Sequence, residues 1–157
     1  MNLLPCLVLT TVLVAQPKLP SLDLGMPVPA TTVKTDHLLV VAPAQMWPER
    51  IWKFDGVEYS LAVDNTGLIQ YIATSSKMVS TSEGVYVGQT FADLLRTDGV
   101  RVGLWPGWGF VAELPSGWKA ALFLNGEFLK RNPEPSDRVD RLFKGTLAGY
   151  GAGHPRR

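Results

Sequence analysis

The stretch Ile51–Thr74, IWKFDGVEYSLAVDNTGLIQYIAT, determines how this chain folds. From residue 57 to residue 63, VEYSLAV, large apolar residues alternate with small or polar ones, which is the period of a half-buried strand. Asp55-Gly56 before this strand is a strong hairpin-turn signal, and Asn65-Thr66-Gly67 after it is a second turn. Ile51–Phe54 and Leu68–Thr74 fit the flanking strands. The stretch therefore predicts an antiparallel meander.

Further along the chain, the pattern predicts one short helix. Thr90 is a good N-cap, and Asp93 lies three residues on, as in a capping box. Asp98-Gly99 marks the end of the helix. The apolar residues between these signals share one stripe at helical spacing: Phe91, Leu94 and Leu95. A helix of about two turns is too short to be stable through propensity, so we expect packing to hold it.

Strand patterns resume after the helix, at Val100–Leu104. Two more strands, Trp108–Leu114 and Trp118–Leu124, are predicted to pair across Pro115-Ser116-Gly117. Arg138–Lys144 fits either a closing strand or a short helix, and both alternatives stay open. The order of elements predicts the α+β class, with an antiparallel β-sheet (meander plus hairpin) and one short helix packed on one face.

Composition divides the chain into four segments. Residues 1–15 contain the uncharged run Leu3–Ala15, which is too short to span a hydrocarbon core of ~30 Å but has the length of a signal-peptide core. We therefore expect an exported protein, periplasmic or secreted, with no transmembrane span in the mature chain. Residues 16–48 are predicted to be a Pro-rich linker and N-terminal extension, residues 49–144 the α+β domain, and residues 145–157 a disordered tail.

Charge and cysteine content narrow the class of protein. The net charge of +1 creates no strong field that would attract nucleic acid, so no nucleic-acid partner is expected. Cys6 is the sole cysteine and cannot form an intramolecular disulfide. Because Cys6 also lies before the hydrophobic run and not after it, we expect no lipid attachment there. The fold is predicted not to depend on disulfides.

One segment resembles a known group of domains. The pattern Gly84-x-x-x-Gly88-x-Thr90-x-x-Asp93-Leu94-Leu95, followed by a hairpin that ends in Gly117-Trp118, is similar to small bacterial envelope domains of the SmpA/OmlA and β-lactamase-inhibitor-protein-like type. The chain is also similar to uncharacterised exported bacterial proteins with comparable glycine and tryptophan segments. The resemblance covers about 40 residues. It implies an α+β binding domain of the bacterial envelope.

Candidate catalytic and metal-binding residues are few. His37 and His154 lie in polar or glycine-rich surroundings without the spacing of a metal site, so no metal or other cofactor is expected. Ser116 lies in a predicted turn, where serine is common, and not in a nucleophile elbow. Glu58 and Glu113 lie on predicted strands and could be neighbours on a sheet face, as a pair of catalytic acids requires. We predict no catalytic residue, and a solvent-facing role for both acids.

The tryptophans supply the candidate binding surface. Aromatic residues on loops are typical of interface anchors, although most tryptophans in small domains belong to the core. The candidate surface comprises Trp105, Pro106, Trp108 and Trp118. We therefore predict a small exported, non-enzymatic binding domain that recognises a protein partner or a cell-envelope component. The alternative is a hydrolase that acts on a cell-envelope polymer.

Overall fold

The computed structural model describes residues 17–42, 45–105, 109–123 and 131–145. These residues form eight strands and one helical turn. The predicted signal segment 1–15 and the predicted tail beyond Gly145 lie outside the described residues. In chain order, the elements are β1 Val33–Ala42, β2 Gln45–Phe54, β3 Val57–Val63, β4 Ile69–Thr74, α1 Phe91–Leu94, β5 Arg101–Trp105, β6 Gly109–Glu113, β7 Lys119–Phe123 and β8 Arg138–Gly145.

All eight strands belong to one antiparallel sheet, in the order β1-β2-β3-β4-β8-β7-β6-β5. The antiparallel sheet expected from the sequence is thereby confirmed. The strand β8 lies between β4 and β7 and joins two meanders. The segment Arg138–Lys144, which the sequence allowed to be either a strand or a helix, is therefore a strand. One row of the sheet runs through Ser60, Ala73, Phe143, Lys119 and Glu113, each paired with the next.

The turn between β2 and β3 shows why this hairpin forms. Asp55 has a φ of 49° and Gly56 a φ of 74°, so both central residues are left-handed. Asp-Gly suits such a two-residue turn, because glycine has no Cβ and aspartate tolerates positive φ better than most residues. The turn fixes the register of β2 against β3 from Glu49–Ala62 to Phe54–Val57. Strand alternation then decides which residues are buried.

Each face of the sheet carries its own apolar cluster. The covered face holds Tyr59, Leu61, Ile72, Ala120 and Leu142, on which non-strand segments pack. Those covering segments contribute Leu22 from residues 17–32 and a group from residues 79–94: Val79, Val85, Val87 and Leu94. The opposite face holds a second cluster, formed by Leu39, Val41, Ala62, Tyr71, Ala73, Trp105, Val111 and Phe143.

The proline-rich segment 17–32 contacts the sheet. It contains no regular strand, in keeping with its prolines, but its amide and carbonyl groups bond to the turn before β4. Gly25 N donates to Ile69 O at 2.8 Å, and Ile69 N donates to Met26 O at 2.9 Å. Asp23 forms a salt bridge with Lys144 on β8 at 3.1 Å. The sheet itself includes β1 and β2, which both begin before residue 49.

The α+β class predicted from the sequence is wrong, because the predicted helix is only four residues long. Thr90 does cap it, with Asp93 N donating to Thr90 Oγ1 at 3.2 Å. After the helical bond from Leu95 N to Phe91 O at 3.0 Å, however, the chain continues in turns, with Arg96 N donating to Asp93 O at 3.1 Å. One helical turn fixes several residues for very few bonds, so it depends on its surroundings. Hydrogen bonds to the segment just before β8 hold the helical turn in place, such as the bond that Phe91 N donates to Asp137 O at 2.6 Å.

Asp137 fastens the turn that leads into β8. Both Asp137 oxygens accept from Arg131, at 2.6 and 2.7 Å, and Glu134 N donates to the same carboxylate at 2.6 Å. The hydrogen bonds from Arg131 lower the pKa of Asp137 below its ordinary value. A depressed carboxyl pKa stabilises the fold above the unfolded pKa of about 3.9, and this contribution is lost as the pH falls through the folded pKa.

We therefore expect Asp137→Asn to lower the urea midpoint at pH 7 more than at pH 3. The variant lacks the charge-assisted bonds at pH 7, whereas at pH 3, below the unfolded pKa of about 3.9, their contribution to the stability of the wild-type protein is already reduced. Urea unfolding followed by circular dichroism at both pH values measures the difference. Asp98→Asn, at an exposed aspartate on another turn, is the control. An equal loss at both pH values would contradict the prediction.

Candidate functional site

The structure separates the tryptophans that the sequence grouped as a binding surface. Trp105 is 8% exposed and packs in the cluster of the opposite face, whereas Trp118 is 5% exposed and packs in the cluster of the covered face. The two side chains therefore lie on different sides of the sheet. Pro106 and Trp108 lie outside the described residues. Trp105 and Trp118 do not form one surface, and both contribute to the core.

A polar cleft lies on the opposite face of the sheet. It has a volume of about 550 Å³ and is formed by residues of β1, β2, β3, β4 and β8 together with the turns after β2 and β4. Its lining combines two carboxylates, one guanidinium and several hydroxyl groups. The lining residues that carry this chemistry are Glu49, Glu58, Ser60, Ser75, Ser76 and Arg141.

Glu49 is the most constrained carboxylate of the cleft. Its side chain is 12% exposed. Ser60 Oγ donates to Glu49 Oε1 at 2.6 Å, and Thr35 Oγ1 lies 3.3 Å from Glu49 Oε2. His37 Nδ1 lies 3.6 Å from the same oxygen. Neighbours on β1 and β3 thus hold the carboxylate in one orientation.

Serine, histidine and glutamate meet here, but not in the order that nucleophilic catalysis requires. A serine nucleophile needs a base that takes its proton and a third group that orients that base. In this cluster, the hydroxyl of Ser60 and the imidazole of His37 both approach Glu49. The imidazole is also largely exposed and lies 3.4 Å from Asp36. The arrangement orients a carboxylate and does not activate the serine.

Arg141 provides the positive charge of the cleft. It lies two positions before Phe143 on β8 and pairs with Ala121 on β7. Its guanidinium interacts with the buried Tyr71 hydroxyl. Burial raises the pKa of Tyr71 to about 12, and the charge and hydrogen bond of Arg141 oppose that shift. The phenol is therefore neutral at ordinary pH.

Lys119 occupies a second polar position on the opposite face. Its Nζ donates to Gly145 O at 3.3 Å and lies 6.0 Å from the ring centroids of both Trp105 and Phe143. Burial lowers the pKa of Lys119, while the charge of Glu113 opposes this shift. The ammonium ties the end of β8 to β7 and has aromatic rings close to it. This geometry is a structural use of the charge.

Glu58 and Glu113, the acids considered for catalysis, point to the same face but belong to distant strands. Glu58 lies on β3 and Glu113 on β6, four positions apart in the sheet. At about 4.8 Å per strand, they are roughly 19 Å apart along the sheet, whereas paired glycosidase acids are about 5–10 Å apart. Glu58 also lies 3.6 Å from Lys53. The sheet order does not make the two acids neighbours.

Ser116 has a structural contact in its turn. Ser116 N donates to Glu83 Oε1 at 2.6 Å, and Ser116 Oγ donates to Glu83 Oε2 at 3.0 Å. The bonds join the β6–β7 turn to the loop before α1.

Among the described residues, no group of three or more His, Cys, Asp or Glu side chains is placed to hold a metal ion.

The hairpin of β1 and β2 exposes the apolar surface that the sequence did not single out. It carries half of the large hydrophobic side chains that are exposed in the described residues: Val33, Leu38, Met46 and Phe54. The strand β1 is also an edge of the sheet. Its pairing with β2 is irregular between Lys34 and Leu38. The next part of this edge strand, Leu38–Ala42 (LLVVA), contains no charged residue.

Comparison with known proteins adds no relative. The chain matches no family model, no curated protein and no solved structure. The resemblance to SmpA/OmlA and β-lactamase-inhibitor-protein-like domains therefore stays a prediction. In the described part of the chain, no helix has the length and apolar character needed to cross a membrane.

Proposed function

We propose that this chain is an exported, non-enzymatic binding protein that recognises a protein partner through the edge of the β1–β2 hairpin. The observation that carries the proposal is the concentration of exposed apolar side chains on this hairpin. Export rests on the signal-like run Leu3–Ala15. The outer edge of β1 provides the second part of the surface, because among the described strands β1 pairs only with β2, and an edge strand presents free N–H and C=O groups.

The mode of recognition that suits this surface is the addition of a partner strand. An extended segment that pairs with β1 gains main-chain hydrogen bonds along the edge, and the side chains of β1 supply specificity on both faces. Leu38, 58% exposed, stands at the start of the uncharged part of the edge. Burying such a side chain fully stabilises a complex by about 1.5–3 kcal/mol.

The test places a charge on this edge. In the full chain, Leu38→Lys should reduce capture of the partner at least about tenfold, because an ammonium would be buried between the strands or would exclude the added strand. Capture from the native host with quantitative mass spectrometry identifies proteins retained by the wild type. Titration with the purified partner then gives the affinity.

Leu95→Lys is the matched control, because Leu95 is 57% exposed and lies after α1, away from the hairpin. Both substitutions should leave the circular dichroism spectrum and urea midpoint nearly unchanged, as is usual for surface positions. The proposal holds if a protein is retained by the wild type and by L95K but lost with L38K. If L38K retains every protein that the control retains, the hairpin edge is not the recognition surface.

A further inference from the structure

We infer that the cleft on the opposite face binds a small zwitterion that carries both an ammonium and a carboxylate group, of the size of an amino acid or a dipeptide. The inference goes beyond the hairpin edge, because it concerns a separate surface and a small ligand. Its basis is the combination of charges in one cleft: Glu49 and Glu58 are acidic, and Arg141 is basic. The volume of about 550 Å³ lies within the range of small-molecule sites.

The ammonium end of the ligand is matched by Glu49. Ser60 and Thr35 hold this carboxylate before any ligand arrives. A carboxylate has about four lone-pair positions, so each oxygen can still accept a bond from an ammonium group. Because the side chain is already ordered, binding costs less conformational entropy than it would at a free surface glutamate. Glu58, on β3, adds a second negative charge to the cleft.

The carboxylate end of the ligand is matched by Arg141. A guanidinium presents donors in a planar fork that fits a carboxylate in a bidentate manner. In the part of the chain that the structure describes, no carboxylate forms a salt bridge with Arg141. Ser75 and Ser76 place hydroxyl or amide groups at the same cleft.

The mixture of charges selects for a ligand that has both. A simple anion would be attracted by Arg141 but repelled by Glu49 and Glu58. A simple cation would be attracted by the two glutamates but repelled by Arg141. A ligand with opposite charges at its two ends satisfies both groups. None of the described residues that line the cleft is aromatic, so these residues offer no stacking surface for a planar ring. Small aliphatic amino acids and dipeptides are therefore the best match.

The experiment compares ligands that differ by one charge. L-alanyl-L-alanine, its N-acetyl form, its C-terminal amide and free L-alanine are titrated into the full chain by calorimetry and by ¹H–¹⁵N NMR. We expect the free dipeptide or alanine to bind at least tenfold more tightly than either blocked dipeptide, since each blocked end loses one charge-assisted contact. The comparison of alanine with the dipeptide shows which length the cleft takes. Amide shifts should map to β2, β3, β4 and β8.

Two variants that each remove one charge assign the two ends of the ligand. Arg141→Gln should weaken zwitterion binding at least tenfold and make binding insensitive to C-terminal amidation. Glu49→Gln should weaken it similarly and make binding insensitive to N-acetylation, while Ser60 keeps an oxygen to which it can donate. Arg96→Gln is the matched control, because Arg96 is an exposed arginine paired with Asp93 outside the cleft. It should bind like the wild type.

The inference fails if neither zwitterion binds, or if the blocked and free dipeptides bind equally. It also fails if R96Q weakens binding as much as R141Q does. These outcomes are separate from those of the hairpin test, since L38K should leave zwitterion binding unchanged and R141Q should leave partner capture unchanged. Thermal unfolding of each variant without ligand confirms that the fold persists and that loss of binding is local.

Discussion

Replacing Trp118 with alanine should lower the free energy of unfolding by about 3–5 kcal/mol. Trp118 is 5% exposed and belongs to the cluster of the covered face. Its ring lies 5.7 Å from Lys144 Nζ, the ammonium that pairs with Asp23. The substitution removes the indole from a closely packed site and also the surface on which Lys144 rests. A small domain is stable by about 5–15 kcal/mol, so the loss is a large share of the total.

Urea unfolding followed by circular dichroism measures this effect. Trp118→Phe is the matched variant, because a phenyl ring fills much of the same space and should recover part of the loss. The result bears directly on the sequence-based hypothesis that Trp118 belongs to a binding surface. A variant W118A with wild-type stability and impaired partner capture would contradict the prediction and return Trp118 to the surface.

The second large effect is expected at Phe143. Phe143→Ala should also lower the free energy of unfolding by about 3–5 kcal/mol, because its side chain is fully buried in the cluster of the opposite face. Its ring stacks with Tyr71 at a centroid distance of 5.8 Å and lies 6.0 Å from Lys119 Nζ. Phe143 lies on β8, a strand in the middle of the sheet that pairs with β4 on one side and β7 on the other.

Phe54→Ala is the control for Phe143. Phe54 is 48% exposed at the end of β2 and stacks with Trp52 at 4.9 Å, so its loss should cost only about 1 kcal/mol. Denaturant midpoints and slopes of both variants give the comparison. Equal losses for the two phenylalanines would show that the opposite face is not a packed core. A difference near threefold or more would show that each face of the sheet carries its own stabilising cluster.

The sequence predicted the local parts of this fold and missed its class. The alternation in 57–63 and the turn at Asp55-Gly56 are properties of neighbouring residues, so the meander was predictable. The N-cap at Thr90 was predictable too, but the end of the helix was not, because Asp98-Gly99, the expected end signal, closes a separate turn after the helix has ended at Leu94. The stretch Leu95–Gly99 forms turns instead, and the α+β prediction failed there.

The site depends on contacts between residues that are distant in sequence. Glu49 and Arg141 are 92 positions apart along the chain and enter one cleft because β8 inserts beside β4. Alternation on β2 and β8 could have placed each residue on a face, but no local signal gives the order of strands. For the tryptophans, a local pattern gave the wrong prediction of a surface. Aromatic residues near a predicted bend suggested a surface, whereas cross-sheet packing buries Trp105 and Trp118.

The central position of β8 has a consequence for the synthesis of the protein. A ribosome makes residues from the N-terminus onward, so β1–β4 and then β5–β7 emerge while the strand that joins them is still absent. During that interval, β4 and β7 each present an open edge beside apolar side chains, which is the kind of surface that chaperones and secretion factors hold. Completion of residues 138–145 closes both edges at once. The nascent chain should therefore complete its sheet only after its last described strand has been translated.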